Sequence, residues 1–318
     1  MGKFGKTLFI IGSACCLIGF VFFGIGFIGG GKEYIQNTNL NSLQANEVKD
    51  SKKHHFSIEK TKLSAFDSLD VDLADSDFRI EKSDDENCYL KYEQETLSSK
   101  NPFSYQIKDH TLSLKENGNT GASYHVDISF LQAIFSAKKS TDLGGYSSYK
   151  NYVTLYVPED KTIDSVNMNL GNGDLFISSF LADTMDVQLD NGDIAVDSLK
   201  VKNATISSSY GDCDMKHASF GDVKLTNDDG DVTIRDLIVR GNGDINLSFG
   251  DGTFTLNKSI RNKTALDLST GYGEIDTSSI HGDKILTGND DENRFKRTLE
   301  NPVGKLTIYS ADGDITVK

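Results

Sequence analysis

Acidic side chains recur at a fixed distance along the second half of this 318-residue chain. A glycine and an aspartate stand side by side four times, each time nineteen residues apart, at Gly173-Asp174, Gly192-Asp193, Gly211-Asp212 and Gly230-Asp231. Carboxylates that a fold brings together can bind a divalent cation, act as general acid and base, or accept hydrogen bonds from the backbone. The spacing therefore predicts a column of aspartates along one edge of a repetitive fold.

Calcium binding and structural turns are two interpretations of this column. Stacked like charges repel, and bound Ca²⁺, turn hydrogen bonds or solvation would relieve the repulsion. The calcium-binding solenoid pattern needs Gly-Gly-x-Gly-x-Asp with a period of about nine residues, whereas here aspartate follows glycine directly at a period of nineteen. We therefore predict structural corner residues and no cofactor. Calcium is kept as the alternative, with the ligands Asp174, Asp193, Asp212 and Asp231.

A polysaccharide lyase or hydrolase is the enzymatic alternative. Its general acid and base would be two carboxylates about 5–10 Å apart in a cleft. Coils of nineteen residues leave almost no room for the long loops that wall such a cleft, and the chain contains no Trp. It also contains neither a Gly-x-Ser-x-Gly elbow nor a His-Glu-x-x-His zinc motif. We predict a protein that is not an enzyme.

Short β-strands are the elements that must hold the acids in a column. Apolar residues alternate after each glycine–aspartate pair, as in Leu175 and Ile177, and a second apolar strand lies halfway along each repeat, as in residues 185–189. Two strands and two turns form a coil that cannot bury its inward face alone, so coils stack about 4.8 Å apart. We predict an all-β fold, a β-solenoid that is a parallel β-helix-like stack of about nineteen-residue coils, with regular repeats over residues 159–318.

The flanking segments are less regular. The series continues with Gly243-Asp244, Gly250-Asp251, Gly273-Glu274 and Gly313-Asp314. Residues 281–303 form a polar insertion before the last repeat, and residues 61–158 form an irregular first part in which 66–80 predicts strand, turn and strand. Residues 130–151 interrupt the pattern with helix-like spacing, which predicts either a helix packed on the sheet or a partner surface.

The first 31 residues predict a membrane anchor. They contain Lys3, Lys6 and no acid, and residues 7–31 carry no charged side chain. As a helix this uncharged run spans about 37 Å, more than the roughly 30 Å of a bilayer's hydrocarbon core. It is longer than the apolar region of a cleaved signal peptide. Lipidation of Cys15 after cleavage is the alternative.

The topology follows from the basic residues at the N-terminus. Positive charges favour the cytoplasmic side, so we predict a cytoplasmic tip and single-pass transmembrane signal anchor in residues 1–31. A polar stalk follows in 32–60, and an extracellular β-strand-repeat domain in 61–318.

Charge excludes one class of partner and favours another. The whole chain has a net charge of -14, and outside the first 31 residues 31 basic residues face 47 acidic ones. Nucleic-acid binding needs clustered Lys and Arg, so it is excluded. An acidic exterior attracts cations, which predicts a cationic peptide, a cationic cell-wall component or an envelope protein as partner.

The repeats also resemble a known family. Segment 66–80, the strand at 153–158 and the serial Gly-Asp-apolar-x-apolar units look like the bacterial adhesin-like β-strand-repeat family of unknown function. That domain occurs in LiaG-type membrane-anchored proteins of Gram-positive cell-envelope stress systems, and the resemblance covers about residues 60–318. It implies no catalytic residues. It implies a structural or ligand-binding role at the envelope, in adhesion-like contacts or in sensing antimicrobial peptides, with an adhesin for another cell as a further alternative.

Overall fold

The fold is built from β-strands. The computed structural model describes residues 54–96, 98–117, 151–278, 280, 283–286 and 293–318. The strands are β1 His54–Lys62, β2 Ser68–Leu73, β3 Asp77–Lys82, β4 Tyr89–Thr96, β5 Phe103–Lys108, β6 Thr111–Glu116, β7 Tyr152–Val157, β8 Thr162–Asn172, β9 Leu175–Ile177, β10 Phe180–Asn191, β11 Ile194–Tyr210, β12 Cys213–Asp229, β13 Val232–Val239, β14 Asn242–Phe249, β15 Gly252–Leu256, β16 Thr264–Tyr272, β17 Ile275–Asp276, β18 Asp283–Leu286, β19 Asn293–Arg297, β20 Gly304–Asp312 and β21 Ile315–Val317. A short 3₁₀ turn, Arg261–Lys263, precedes β16.

Three predicted segments lie wholly or largely outside the described residues. These are the anchor at 1–31, the stalk up to residue 53 and, apart from residue 151, the insertion at 130–151. Within the described part of the chain, no helix is long and apolar enough to cross a membrane.

Each regular coil has three strand segments, not the two that the repeat predicts. In one coil these are residues 184–191, 194–196 and 199–201, which we call the first, second and third faces. Each segment pairs in parallel with the segment nineteen residues away. The third face was missed because its two inward side chains, Leu199 and Val201, follow the second face after a short bend and read as part of the same strand.

The coils do not stack in chain order at the C-terminal end. On the first face, β20 lies between β14 and β16 and pairs in parallel with both. On the second face, β21 lies between β15 and β17 in the same way. The last repeat therefore inserts between two earlier ones, where it buries its backbone on both sides.

The N-terminal end shows the same kind of insertion. Strand β2 lies between β6 and β8, and β3 lies between β7 and β9. Segment 66–80 thus forms a strand, turn and strand as predicted, and it belongs to the stack itself.

Antiparallel strands close both ends of the stack. At one end β19 pairs with β16 and β18 pairs with β19, so these strands occupy part of the predicted insertion at 281–303. At the other end β4 pairs with β7, β1 with β4, and β5 with β6. An uncovered parallel edge would be a template for aggregation, and these strands cover it.

Two expectations need correction. The predicted stalk at 32–60 ends too late, because residues 54–60 belong to β1, whose Phe56 and Ile58 pack against the core. Gly243-Asp244 is also not a corner. Gly243 is the buried second residue of β14, where a Cβ atom would lie 2.8 Å from Leu306 Cδ1.

The interior is a set of apolar ladders that run along the stack. Inward residues of the first face include Met185, Val187 and Leu189, and those of the second face include Ile194 and Val196. All are less than 5% exposed. Cys213 takes an inward place in the second-face ladder, and its burial raises the pKa of the thiol to about 12. Cys88 is a second buried free thiol.

Candidate ligand-binding surface at the glycine–aspartate corner

Glycines form the turn between the first and second faces. Seven corner glycines have φ between 131° and 153°, a region that side chains of L-residues rarely adopt: Gly173, Gly192, Gly211, Gly230, Gly250, Gly273 and Gly313. Space is a second restriction, since a Cβ atom on Gly211 would lie 2.0 Å from the carbonyl oxygen of Gly192 in the adjacent coil. Glycine is therefore required by both conformation and packing.

The acids that follow these glycines form a continuous ladder of hydrogen bonds. Each carboxylate Oδ1 accepts a hydrogen bond from the backbone N–H of the acid in the next coil of the stack. In stacking order the members of this aspartate ladder are Asp77, Asp174, Asp193, Asp212, Asp231, Asp251, Asp314 and Glu274. The N···O distances are 2.7–3.1 Å.

The four aspartates predicted from the sequence are thus brought together, and each has a structural partner. Asp174, Asp193, Asp212 and Asp231 are four successive members of the ladder. Their hydrogen bonds agree with the interpretation as corner residues. In the described ranges, no group of three or more His, Cys, Asp and Glu side chains is arranged to hold a metal ion, and calcium binding by these residues stays the alternative interpretation.

A buried carboxylate covers the start of the ladder. Glu116 Oε2 accepts hydrogen bonds from the backbone N–H groups of Ala74, Asp75 and Ser76, at 3.0–3.1 Å. Its Oε1 accepts hydrogen bonds from the Ser76 hydroxyl and from the side-chain amide of Gln94. Glu116 therefore satisfies the backbone N–H groups of the turn before Asp77, whose own N–H donates to the carbonyl oxygen of Asn151.

Exposed aromatic residues lie beside the ladder. Tyr210, Phe249 and Tyr272 each come directly before a corner glycine, and their exposed fractions are 60%, 60% and 64%. The strand register places Asp229 between the first two and Asp312 between the last two. We call these five residues the corner stripe. Its aromatic members were not predicted from the sequence, although their position before a corner glycine was a readable signal.

Ion pairs connect adjacent coils away from this corner. Lys202 pairs with Asp183 at 2.7 Å and Lys216 pairs with Asp197 at 2.5 Å, in each case across adjacent coils. Arg235 pairs in the same manner with Asp214. A hydrogen bond from His217 lowers the pKa of the Asp236 carboxyl.

The glycine–aspartate corner differs in composition from the sites of these ion pairs. The five triplets centred on Gly211, Gly230, Gly250, Gly313 and Gly273 read Tyr-Gly-Asp, Asp-Gly-Asp, Phe-Gly-Asp, Asp-Gly-Asp and Tyr-Gly-Glu. They contain seven acids and no basic residue. The corner is therefore an acidic edge that also exposes aromatic rings.

Comparison with solved structures finds bacterial proteins of low identity. A candidate cell adhesion protein from Clostridium sporogenes is 12% identical, with 84% of this chain and 99% of that chain covered and a TM-score of 0.37. A candidate adhesin from Bacteroides fragilis is 15% identical, with 85% and 98% covered and a TM-score of 0.35. One from Parabacteroides merdae is 11% identical, with 84% and 96% covered and a TM-score of 0.33.

Sequence comparison identifies the family. No curated protein matches the chain. Residues 66–318, which include every coil described above, match the Toastrack DUF4097 family. This chain therefore belongs to the Toastrack DUF4097 family, whose adhesin-like β-repeat domain has no assigned function.

Proposed function

We propose that this protein is a non-enzymatic, membrane-anchored binding protein of the bacterial cell envelope, and that its repeat domain binds cationic partners outside the membrane. The observation that carries the proposal is the acidic corner. Three acids away from the corner, Asp183, Asp197 and Asp214, have basic partners in adjacent coils, whereas the corner triplets contain seven acids and no basic residue.

The membrane part of the proposal rests on the sequence. Residues 7–31 carry no charge and are long enough to span a bilayer as a helix. The two lysines before them favour a cytoplasmic N-terminus, which would put the acidic domain outside. There it would meet cationic peptides or cationic components of the wall.

The hydrogen bonds of the ladder support binding rather than catalysis. A general acid or base must exchange protons with a substrate, but each Oδ1 in the ladder already accepts a backbone N–H. These carboxylates keep their positions through the backbone and present a fixed array of negative charge.

Binding of a cationic peptide by the full-length chain in detergent micelles would test the proposal. We expect affinity to fall steeply as sodium chloride is raised, because exposed charges more than about 8 Å apart are screened at physiological ionic strength. An anionic peptide of the same length is the control. Affinity that does not change with salt, or equal binding of the anionic peptide, would contradict the proposal.

A further inference from the structure

The corner stripe has a regular period that is set by the stacking order. Its residues follow each other as Tyr210, Asp229, Phe249, Asp312 and Tyr272, one from each successive coil. Adjacent strands lie about 4.8 Å apart. The aromatic rings therefore recur about every 9.6 Å, and the three of them span about 19 Å along the stack.

Exposed aromatic rings with acids between them favour a cationic ligand. A Lys or Arg side chain over a ring face is attracted by the ring quadrupole, and neighbouring carboxylates add ion pairing. The same domain already uses this contact at its other end, where Lys60 Nζ lies 4.2 Å from the ring centre of Tyr156. Arg79 similarly lies 5.1 Å from the ring centre of Phe176. The stripe presents rings of the same kind without a basic residue in its own triplets.

The period of the stripe selects the conformation of a ligand chain that lies along it. A polyproline II helix repeats every three residues, with a rise of about 3.1 Å per residue and thus a repeat of about 9.3 Å. A β-strand repeats one face about every 6.7 Å, and an α-helix repeats about every 5.4 Å. Over the two intervals of the stripe, every third residue of polyproline II stays within about 1 Å of the rings. A strand misses the second ring by about 3 Å, and an α-helix with two turns per interval is about 2.4 Å out of register at the third ring.

We infer that the corner stripe is a binding site for an extended cationic peptide in polyproline II conformation, with a Lys or Arg at every third position above Tyr210, Phe249 and Tyr272. This inference rests on the proposed function, because it gives the cationic partner a place and a spacing. The acids Asp229 and Asp312 lie between the rings, where they add attraction along the chain.

Two peptides of identical composition test the spacing. One consists of repeated Pro-Pro-Lys units, and the other contains the same prolines and lysines with the lysines grouped at one end. We expect the full-length protein in detergent micelles to bind the periodic peptide about ten-fold more tightly, since three cation–π contacts at exposed sites together account for roughly that factor.

Variants identify the surface. Replacing all three rings, as Tyr210→Ser, Phe249→Ser and Tyr272→Ser, is expected to remove the preference for the periodic peptide. Tyr105→Ser is the matched control, because Tyr105 is an exposed aromatic residue on β5, outside the stripe. All variants are first checked for unchanged circular dichroism.

The outcomes separate this inference from the proposed function. If both peptides bind the wild-type protein equally and with steep salt dependence, the site is wrong and the proposed function stands. If neither peptide binds at low salt, both are wrong. If the triple variant keeps the preference, the periodic peptide binds elsewhere and the assignment of the stripe is overturned.

Discussion

At the scale of single residues, the corner glycines cannot be replaced by larger residues for two reasons, which are their positive φ and the lack of space for a Cβ atom. Gly211 has φ of 133°, and a Cβ atom there would lie 2.0 Å from the carbonyl oxygen of Gly192. An L-residue at such a φ is strained. The nearby contact is backbone, which cannot rotate away.

Gly211→Ala should therefore lower the free energy of unfolding by about 2 kcal/mol or more, through backbone strain and displacement of the adjacent coil. Urea unfolding followed by circular dichroism measures the change. Ser209→Ala in the same coil is the control and should change stability little. A stability of Gly211→Ala equal to wild type would show that the corner is not restricted as described.

The aspartate ladder makes a second residue-scale prediction that separates hydrogen bonding from charge. Asp212 Oδ1 accepts the N–H of Asp231 at 2.9 Å. Asp212→Ala removes this acceptor and should cost about 1 kcal/mol of unfolding free energy. Asp212→Asn keeps an acceptor and removes one of several stacked charges, so it should cost less. Equal loss in the two variants, measured by urea unfolding, would mean that the carboxylate acts through its charge alone.

At the scale of elements, Glu116 at the end of β6 covers the turn at which the aspartate ladder starts. Its carboxylate accepts three backbone hydrogen bonds from residues 74–76, which form the turn between β2 and β3. A buried carboxylate that accepts several N–H groups is a strong local contact.

Glu116→Gln should lower the free energy of unfolding by about 2 kcal/mol, because an amide group brings hydrogens toward backbone donors and loses the charge-assisted bonds. Thermal unfolding of the variant measures the effect. Glu95→Gln, at an exposed position of β4, is the control. A Glu116→Gln protein as stable as Glu95→Gln would contradict the role of Glu116 as a cover for the first corner.

The position of β20 makes a second element-scale prediction. Because β20 pairs with β14 on one side and β16 on the other, its amide hydrogens should exchange as slowly as those of β12 in the middle of the stack. Hydrogen exchange with peptide-level mass spectrometry measures this. A last repeat stacked in chain order would form an edge, and faster exchange over residues 304–312 than over β12 would show that arrangement instead.

At the scale of the whole molecule, the net charge of -14 and the stacked acids repel one another. Sodium chloride should therefore stabilise the protein, and the triple variant Asp193→Asn, Asp212→Asn, Asp231→Asn should respond less because part of the repulsion is removed. Thermal unfolding at low and high salt measures both. A larger salt response in the triple variant would contradict this account.

The same experiment tests the calcium alternative. At matched ionic strength, calcium chloride should stabilise the wild-type protein no more than sodium chloride does, if the ladder acids are structural. Stabilisation that grows with calcium concentration and disappears in the triple variant would instead identify a specific site.

The features of the fold and of the corner that could be predicted are those that repeat locally along the chain. The nineteen-residue period, the inward apolar columns and the glycine corners are repeated in the chain itself, and this repetition alone assigns Asp174, Asp193, Asp212 and Asp231 to one column. It does not assign Asp77 to that column, because the residue before it is Ser76 rather than glycine and it lies far from the repeats in the chain.

The sequence by itself determined the type of coil and the identity of its corner, because glycine conformation and strand alternation are local properties. Only the tertiary structure decided the order of the coils, because parallel strands present the same backbone groups to a neighbour from any part of the chain. In chain order Phe249 would be followed directly by Tyr272. The insertion of β20 puts Asp312 between them, so the corner stripe alternates through to Tyr272 only because of this insertion.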